Sequence, residues 1–458
     1  MPTELVDDRR LRLLAGVLLL GATVSLLDTT IVSVALDTIA AQTDASEAEV
    51  GWVSSSYLLA MAVVIPLMGW AVDRFGARTV WLATLTVFAL GSLLCALAWS
   101  TPSLVAFRVL QGAGGGLILP LCQAILTQAA GPERIARALA LITIPGQLVP
   151  VAGPALGGLL VSGLGWRSIF WINLPICAVA LLAAWRLLPD GERRTGLRLD
   201  WLGALLLSAA LGGLIYTLSV GGEVQWLPAG AGVVLLALFV VHGLRTAEPI
   251  VDLRLFARRG FGPAAILLFL SGVAIFGALY LLPLYYQQIR LHTPFEAGLL
   301  LAPQGVGTAL ALLAGSRYVD RAAPAPLVVA GTLAALAGSV PFLFVTAEPD
   351  SVLLAAAMVV RGFGLGLAGL AMTAAAYRLL ARPEIPRATA LISVLQRLGG
   401  AAGTAVLALV LATQPAGEVD AFAIAFQWSA GLVAICLLPA LALPFRRAEA
   451  PSPPATSR

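Results

Sequence analysis

The residue of this chain whose type and position best suit chemistry is Asp28, a carboxylate inside the first long apolar segment. A charge in a membrane interior is costly and is usually retained for transport, a proton relay or gating. Helical spacing puts Asp28 on one face with small or polar residues, which suits a cavity or a close helix contact: Gly21, Ser25, Val32 and Ala35. Asp28 therefore exchanges a proton during a functional cycle, pairs with a substrate cation, or forms a permanent ion pair or hydrogen bond within the helix bundle.

Arg108 is the predicted partner of Asp28, because both side chains lie at a similar depth in their apolar segments. An ion pair would offset part of the desolvation cost of both charges. The pair is either static or weakened when Asp28 takes up a proton. Asp37 follows about 13.5 Å further along the same helix and on its opposite side, so we interpret it as a helix-end residue.

The segments that must position these charges make up nearly the whole chain. Its 458 residues are 59% hydrophobic and 11% charged, whereas soluble domains carry about 25% charged residues. Since a membrane span needs about 20 apolar residues, the sequence predicts an all-α polytopic membrane protein. We count fourteen apolar segments, approximately at 13–36, 51–72, 79–99, 103–126, 138–162, 168–188, 202–220, 227–244, 262–287, 297–317, 326–346, 351–376, 388–412 and 423–445.

The arginines indicate the orientation of these segments. One set of segment ends, called the basic end below, carries most of them, among them Arg74, Arg78, Arg134, Arg137, Arg193, Arg194, Arg254, Arg321, Arg378 and Arg387. The loops at the opposite, acidic end carry mainly carboxylates, among them Asp44, Glu49, Glu223, Asp350 and Asp420. Cytoplasmic loops of membrane proteins are rich in Arg and Lys. Both termini are therefore predicted to be cytoplasmic, which requires an even number of spans.

The absence of Lys and the wide spacing of His and Cys exclude several function classes. It has no Lys, so a P-loop ATPase and a Schiff-base enzyme are excluded. His242 and His292 have no neighbouring residues that could complete a metal site, and the four cysteines form no CxxC pair. We therefore expect neither an enzyme nor a metal or cofactor. The pI near 9.1 reflects membrane topology, and we expect no nucleic-acid partner.

An internal repeat divides the chain. Val72-Asp73-Arg74 after segment two matches Val319-Asp320-Arg321 after segment ten, and the Gly-rich run after Arg108 has a counterpart after Arg361. Transporters are often built from such repeats, with a site at their interface near the bilayer midplane. We predict a six-helix bundle over 1–190, a linker with an extra hairpin of two helices over 191–254, a second six-helix bundle over 255–447 and a disordered cytoplasmic tail over 448–458.

Several motifs of the chain, in order, resemble those of the major facilitator superfamily, specifically its fourteen-span drug:proton antiporter branch. The carriers are Leu27-Asp28-Thr29-Thr30 in the first helix, Gly69-Trp-Ala-Val-Asp73-Arg74-Phe-Gly76-Ala-Arg78 after the second, Arg108-Val-Leu-Gln111-Gly112 in the fourth, Gly153-Pro154-Ala-Leu-Gly157-Gly158 in the fifth, Trp166-Arg167-Ser-Ile-Phe170-Trp-Ile-Asn173 before the sixth and Gln396-Arg397-Leu-Gly399-Gly400 in the thirteenth. The resemblance implies the major facilitator fold and covers essentially the whole chain. The second copy of the loop motif is degraded around Asp320, which weakens the prediction of a symmetric latch.

Three sets of site residues follow. The first is a cytoplasmic gate motif, which either latches the two halves or only supplies positive flanking charge: Gly69, Asp73, Arg74, Gly76 and Arg78. The second is a fifth-helix motif, which either packs closely or, as in the antiporters it resembles, seals the cavity against proton leak: Gly153, Pro154, Gly157 and Gly158. The third is a set of candidates for substrate contact or interface anchoring: Ser25, Tyr57, Gln111, Gln147, Tyr280, Tyr285, Gln304, Arg361, Gln396 and Arg397.

The sequence thus predicts a proton-coupled antiporter that exports hydrophobic small molecules, such as drugs or antibiotics, by alternating access. We expect a monomer in the plasma (inner) membrane, in contact with lipid. A lipid or glycolipid exporter is the main alternative, since clear intramembrane charges number one acid against three arginines, Arg108, Arg361 and Arg397. Uptake of a nutrient is a further alternative, against which the fifth-helix motif argues.

Overall fold

The computed structural model describes residues 7–146, 149–190, 193, 196–219, 226–257, 261–345, 350–378, 380–414 and 419–443. Over these ranges the regular secondary structure is helical throughout, with no strand. The predicted tail over 448–458, Gln147 and Glu223 lie outside the described residues, as does the side chain of Pro154.

Nine helices form the first half, and two more follow as a hairpin. Those of the first half are α1 (Asp8–Thr43), α2 (Glu47–Val64), α3 (Met68–Phe75), α4 (Ala77–Ala96), α5 (Thr101–Ala130), α6 (Ile135–Gly146), α7 (Val149–Leu164), α8 (Ser168–Trp171) and α9 (Asn173–Leu187). The hairpin consists of α10 (Trp201–Ser219) and α11 (Trp226–Arg245). A 3₁₀ turn over Ile65–Leu67 joins α2 to α3, so these two helices form one predicted segment.

The second half repeats this order. Its helices are α12 (Phe261–Leu284), α13 (Pro294–Arg321), α14 (Pro324–Ser339), α15 (Ser351–Arg378), α16 (Ile385–Ala412), α17 (Val419–Ile435) and α18 (Leu437–Ala440). A π-helical turn over Tyr285–Ile289 extends α12, and 3₁₀ turns occupy Leu253–Ala257, Val340–Phe344 and Arg382–Glu384.

Twelve helical stretches within the described ranges are long and apolar enough to cross a membrane. They account for twelve of the fourteen predicted segments. The other two, 138–162 and 202–220, correspond to α6 with α7 and to α10, of which Ile135–Gly146 and Trp201–Leu214 count as shorter apolar helices. The total of fourteen spans therefore stays a prediction.

Matching helix starts show the repeat at the local level. Ser46 before α2 and Thr293 before α13 each accept a backbone N–H three residues on, while Glu49 and Glu296 accept the N–H of the capping residue. Such reciprocal caps satisfy N–H groups that a helix start leaves unpaired. The sequence therefore fixes the starts of these equivalent helices in the same way.

Packing follows the repeat as well. α5 packs on α2 and α4, as α15 packs on α13 and α14, and α1 contacts α7 and α9, as α12 contacts α16 and α17. The halves meet where α6 contacts α13 and α15 and where α16 contacts α3 and α5. The hairpin lies beside α2 and α16 through α10.

The buried apolar residues are distributed unequally between the two ends. One cluster includes the start of α1, α6, the start of α12, the end of α15 and the start of α16, so it joins both halves at the basic end. Toward the acidic end, one separate cluster lies within the first half, from Leu27 to Phe170, and another within the second, from Ala278 to Phe426. The halves are thus packed together at the basic end and have independent cores at the other.

Candidate functional site

Asp28 lies in the middle of α1, and the face predicted from helical spacing is buried. Gly21, Ser25, Val32 and Ala35 are all buried with it. Asp37, on the opposite side of the helix, is exposed. The apolar sequence around Asp28 therefore orients the acid toward the inside of the first bundle.

The Asp28 carboxylate accepts three hydrogen bonds from side chains of two other helices. Its Oδ2 lies 2.5 Å from Nη1 of Arg108, and its Oδ1 lies 2.9 Å from Nε2 of Gln111 and 3.1 Å from Nδ2 of Asn173. The side chain of Asp28 is 0% exposed and that of Arg108 is 1% exposed. A buried charge needs such a pair and its hydrogen bonds to be tolerated.

Arg108 is held from three further sides. Its Nε donates to the carbonyl of Val53 at 3.0 Å, and its Nη1 donates to Oε1 of Gln111 at 2.8 Å. Its guanidinium carbon lies 4.0 Å from the centre of the Tyr57 ring, a cation–π contact. The guanidinium therefore keeps several partners even if the Asp28 carboxylate becomes neutral.

A second ring of polar groups extends this network to α4. Nδ2 of Asn173 donates to Oγ of Ser92 at 2.9 Å, and Ser92 donates to the carbonyl of Phe170 at 3.0 Å. Asn173 and Ser92 are buried and were not predicted as site residues. The signal available was a polar amide in an apolar segment, within the Trp166–Asn173 motif. Hydrogen bonds thus connect the Asp28 carboxylate directly to side chains of α5 and α9 and, through Asn173, to α4.

Tyr57 and Ser25 form the neighbouring layer. Their hydroxyls lie 3.3 Å apart, and Ser25 also donates to the carbonyl of Gly115 at 3.3 Å. A Cβ at Gly115 would lie 2.6 Å from the Tyr57 hydroxyl, so only glycine leaves room for this ring. This layer lies near the second half, since α16, which carries Arg397, contacts α5.

At the basic end, Asp73 pairs with the second half. Its Oδ2 lies 2.7 Å from Nε of Arg387, near the start of α16, and a Cβ at Gly69 would lie 3.0 Å from Cγ of Arg387. Asp73 is buried. Gly76 ends α3 with a φ of 85°, a conformation that favours glycine. This pair spans the two halves, the geometry expected of a latch.

The two arginines of the gate motif do not join the Asp73 pair in this conformation. Arg74 is exposed. Arg78 stays within the first half, where it lies 2.8 Å from Asp190 and also donates to the carbonyl of Trp185. Among the described residues, Asp73 is therefore the one charge of the motif that has a partner in the second half.

Asp320 makes the equivalent contact from the second half to the first. Its carboxylate accepts the backbone N–H groups of Ala136 at 2.9 Å and Arg137 at 3.1 Å, at the start of α6. Burial raises the pKa of the Asp320 carboxyl above its usual value, although these N–H groups act in the opposite direction. The degraded motif had weakened the prediction of a symmetric latch. The altered motif still makes this contact, because the contact requires only the carboxylate and a helix start, whose free N–H groups favour an anion. The symmetric latch itself stays a prediction.

The fifth-helix motif packs on α1 immediately after Asp28. A Cβ at Gly153 would overlap Oγ1 of Thr30, and one at Gly157 would lie 3.3 Å from Cγ1 of Ile31. A Cβ at Gly158 would meet no atom within 4 Å. Close packing therefore explains the first two glycines, but not Gly158 in this conformation.

The candidates for substrate contact separate into groups. Ser25, Tyr57 and Gln111 belong to the buried network around Asp28. Tyr285 is 0% exposed and lies in an aromatic cluster with Phe422 and Phe426, so its ring is packed against other side chains. Gln304 accepts a hydrogen bond from Arg361 at 2.9 Å. The remaining candidates are half-buried: Tyr280, Gln396 and Arg397.

Comparisons with known proteins agree with this architecture. The family model described as Major Facilitator Superfamily matches residues 18–404 and 264–457. The chain is 38% identical over 410 residues to the multidrug resistance protein B homolog of Mycobacterium tuberculosis, covering 87% of this chain and 76% of the relative. It is 32% identical to the methylenomycin A resistance protein of Streptomyces coelicolor, covering 85% and 84%.

A solved structure shows the same fold at low sequence identity. The human organic anion transporter MFSD10 superimposes with a TM-score of 0.67 and 19% identity, covering 94% of this chain and 99% of that one. With apolar helices throughout, a family model that matches nearly the whole sequence and relatives named for drug and antibiotic resistance, the chain is a multi-pass membrane protein that belongs to the Major Facilitator Superfamily of transporters.

Proposed function

We propose that this protein is a proton-coupled antiporter that exports hydrophobic small molecules across the plasma membrane by alternating access. The carrying observation is the Asp28–Arg108 pair, sealed inside the first bundle and bound by residues of two further helices. The names of the relatives support drugs or antibiotics as the substrates. The proton gradient supplies the energy, and the chain acts as a monomer without a cofactor.

In this proposal all fourteen segments span the membrane and the basic end is cytoplasmic, together with both termini. The conformation described has its halves packed together at that end, through the Asp73–Arg387 pair and the Asp320 contact with α6. The separate apolar cores at the acidic end leave that end able to part. This is the arrangement of an outward-facing state.

Protonation of Asp28 would act through the contacts of α1. A neutral Asp28 no longer compensates the charge of Arg108, so the pair weakens and α1 is free to shift against α5. α7 lies against α1 at Thr30 and Ile31, and α6, which precedes it in the chain, contacts α13 and α15. A shift of α1 is therefore passed to the interface between the halves.

The test is transport by purified protein in proteoliposomes under an imposed pH gradient, with a fluorescent hydrophobic cation and a neutral hydrophobic dye as probes. Asp28→Asn is expected to abolish proton-driven accumulation. Asp37→Asn, which removes an exposed acid from the same helix, is the matched control and should transport as the wild type does. If Asp28→Asn retains wild-type proton-driven transport, Asp28 is not the coupling residue.

The latch is tested separately, by distances between spin labels at the basic ends of α3 and α16. Asp73→Ala should broaden the distribution toward longer distances, because it leaves Arg387 without its partner. Arg74→Gln changes an exposed residue of the same motif and should leave the distribution unchanged. Equal distributions for the wild type and Asp73→Ala would contradict the latch.

Export of a lipid or glycolipid is the second candidate. It is favoured by Arg397, a half-buried cation for which the described residues provide no ion pair, at the interface between the halves. An anionic head group would match that charge. Translocation of a fluorescent anionic lipid in the same proteoliposomes, without transport of either hydrophobic probe, would favour this candidate over drug export.

A further inference from the structure

The second half contains a small cavity with space for about one water-sized particle. Its lining comprises Leu282, Ser339, Phe342, Arg361, Phe426 and Ser429. The cavity lies at the place in the second bundle that the Asp28 network occupies in the first. It is outside the set of residues to which the proton-coupling proposal assigns a role.

The internal repeat relates the two places residue by residue. Ser339 follows Ser92 by the same number of residues as Asp320 follows Asp73. Likewise, Ser429 follows Asn173 by the same number of residues as Phe426 follows Phe170. Arg361 and Arg108 are each followed by a Gly-rich run.

The surroundings of the two arginines differ in charge. Asp28 of α1 faces Arg108, whereas the residue of α12 that lines the cavity with Arg361 is Leu282. The described lining of this cavity thus contains the cation and no carboxylate.

Arg361 is consequently a buried cation with few partners. It is 3% exposed, and within the described part of the chain its guanidinium makes one hydrogen bond, from Nη1 to Oε1 of Gln304 at 2.9 Å. A guanidinium has five N–H donors, so most of them lack an acceptor among these residues. No carboxylate of the described ranges pairs with it. A buried charge in this state is costly and favours a counter-ion.

The cavity offers one more donor. Ser429 is 6% exposed, and its hydroxyl has no hydrogen-bond partner among the described residues. Ser339, by contrast, donates to the carbonyl of Ala335 at 2.8 Å and so forms part of the wall. Phe342 and Phe426 complete an apolar wall around these donors.

We propose that this cavity binds a small monovalent anion, which supplies the negative charge that the lining around Arg361 lacks. The chemistry is a single negative charge that accepts N–H groups of Arg361 and the O–H of Ser429. A halide ion and the carboxylate group of a small organic acid both supply it, and the halide, as a single atom, requires the smaller outward shift of the lining. The anion neutralises the second bundle as Asp28 neutralises the first.

The experiment measures binding of radioactive chloride to the purified full chain in nanodiscs, and thermal unfolding in chloride against gluconate buffer. Wild-type protein is expected to bind chloride saturably and to unfold at a higher temperature in chloride. Leu282→Asp supplies an internal carboxylate, so it should lose at least about tenfold in chloride affinity and become insensitive to the buffer anion. Leu282→Asn is nearly the same in shape but neutral, and should still bind chloride.

Additional variants and competing anions distinguish a halide from a carboxylate ligand, and anion binding from proton coupling at Asp28. Arg361→Gln should abolish binding. Displacement of chloride by acetate or benzoate at comparable concentrations, with weak chloride affinity, would assign the site to a carboxylate. Asp28→Asn should bind chloride normally, so failure of proton coupling leaves this proposal intact. Absence of saturable binding of all three anions, or unchanged chloride binding in Leu282→Asp, would overturn it.

Discussion

The energy stored in the Asp28–Arg108 pair can be measured with a double-mutant cycle. Asp28→Asn leaves Arg108 charged and 1% exposed, and Arg108→Gln leaves the Asp28 carboxylate with two amide donors. Removing one partner of a buried pair costs about 3–5 kcal/mol, largely because the other charge stays uncompensated. The double variant has neither charge, so its loss of stability should be far smaller than the sum of the two single losses. We expect a coupling energy of about 3 kcal/mol.

The assay is reversible unfolding of the four proteins in mixed micelles, followed by tryptophan fluorescence. Arg78 and Asp190 are the control cycle, since the same residue types lie 2.8 Å apart but with side chains 24% and 73% exposed. An exposed pair of this kind is worth about 0–1 kcal/mol. If the Asp28–Arg108 coupling falls to about 0.6 kcal/mol, the average for hydrogen bonds between membrane helices, the reasoning about a charge-dependent network is refuted.

Three other predictions follow from single contacts. Gly153→Ala should reduce both stability and transport, because its Cβ overlaps Thr30, whereas Gly158→Ala should leave both unchanged; unfolding and dye export measure this, and equal effects would contradict the packing argument. Asp320→Ala leaves two backbone N–H groups at the start of α6 without acceptors. The ratio of latched to unlatched protein, measured from spin-label distances, should therefore fall by about 5- to 150-fold, corresponding to about 1–3 kcal/mol. Burial acts to raise the pKa of Asp200, but hydrogen bonds from backbone N–H groups and a histidine outweigh it and lower the pKa; the stability this carboxylate contributes is therefore present above about pH 4 and lost as the pH falls through the lowered value, so the unfolding temperature of Asp200→Asn should vary less between pH 5 and pH 3 than that of the wild type.

The Asp28 face and its ion pair could be predicted because they depend on quantities that a sequence contains. Helical periodicity defined the buried face of α1, and depth within the apolar segments matched Asp28 to Arg108. The repeat was visible for the same reason, since both copies keep a Val-Asp-Arg sequence after a long apolar segment. Long, strongly patterned segments carry this information locally.

The rest of the network could not be predicted, because it depends on which helices are neighbours. Asn173 meets Asp28 only because α9 packs against α1 and α4. The motif marks Asn173 as a polar amide in an apolar segment, but it does not indicate which helix the amide contacts. Asp320 illustrates the converse, since the motif around it is altered while its backbone partners at α6 are indifferent to side-chain identity.

The cavity at Arg361 also could not be predicted from the sequence. An arginine in an apolar segment signals that a charge must be compensated, but Gln304 lies on another helix and Leu282 on a third. Only the folded bundle shows that the place opposite this cation is apolar and leaves unfilled space.

The single apolar cluster that joins both halves at the basic end has a thermal consequence. Opening that end to water exposes apolar surface, and hydration of such surface carries a large positive heat capacity. The population of the open state therefore changes with temperature along a curve, and an Arrhenius plot of turnover should bend wherever this opening limits the rate. Parting of the acidic end separates cores that are already independent, so steps limited there should give a straighter plot.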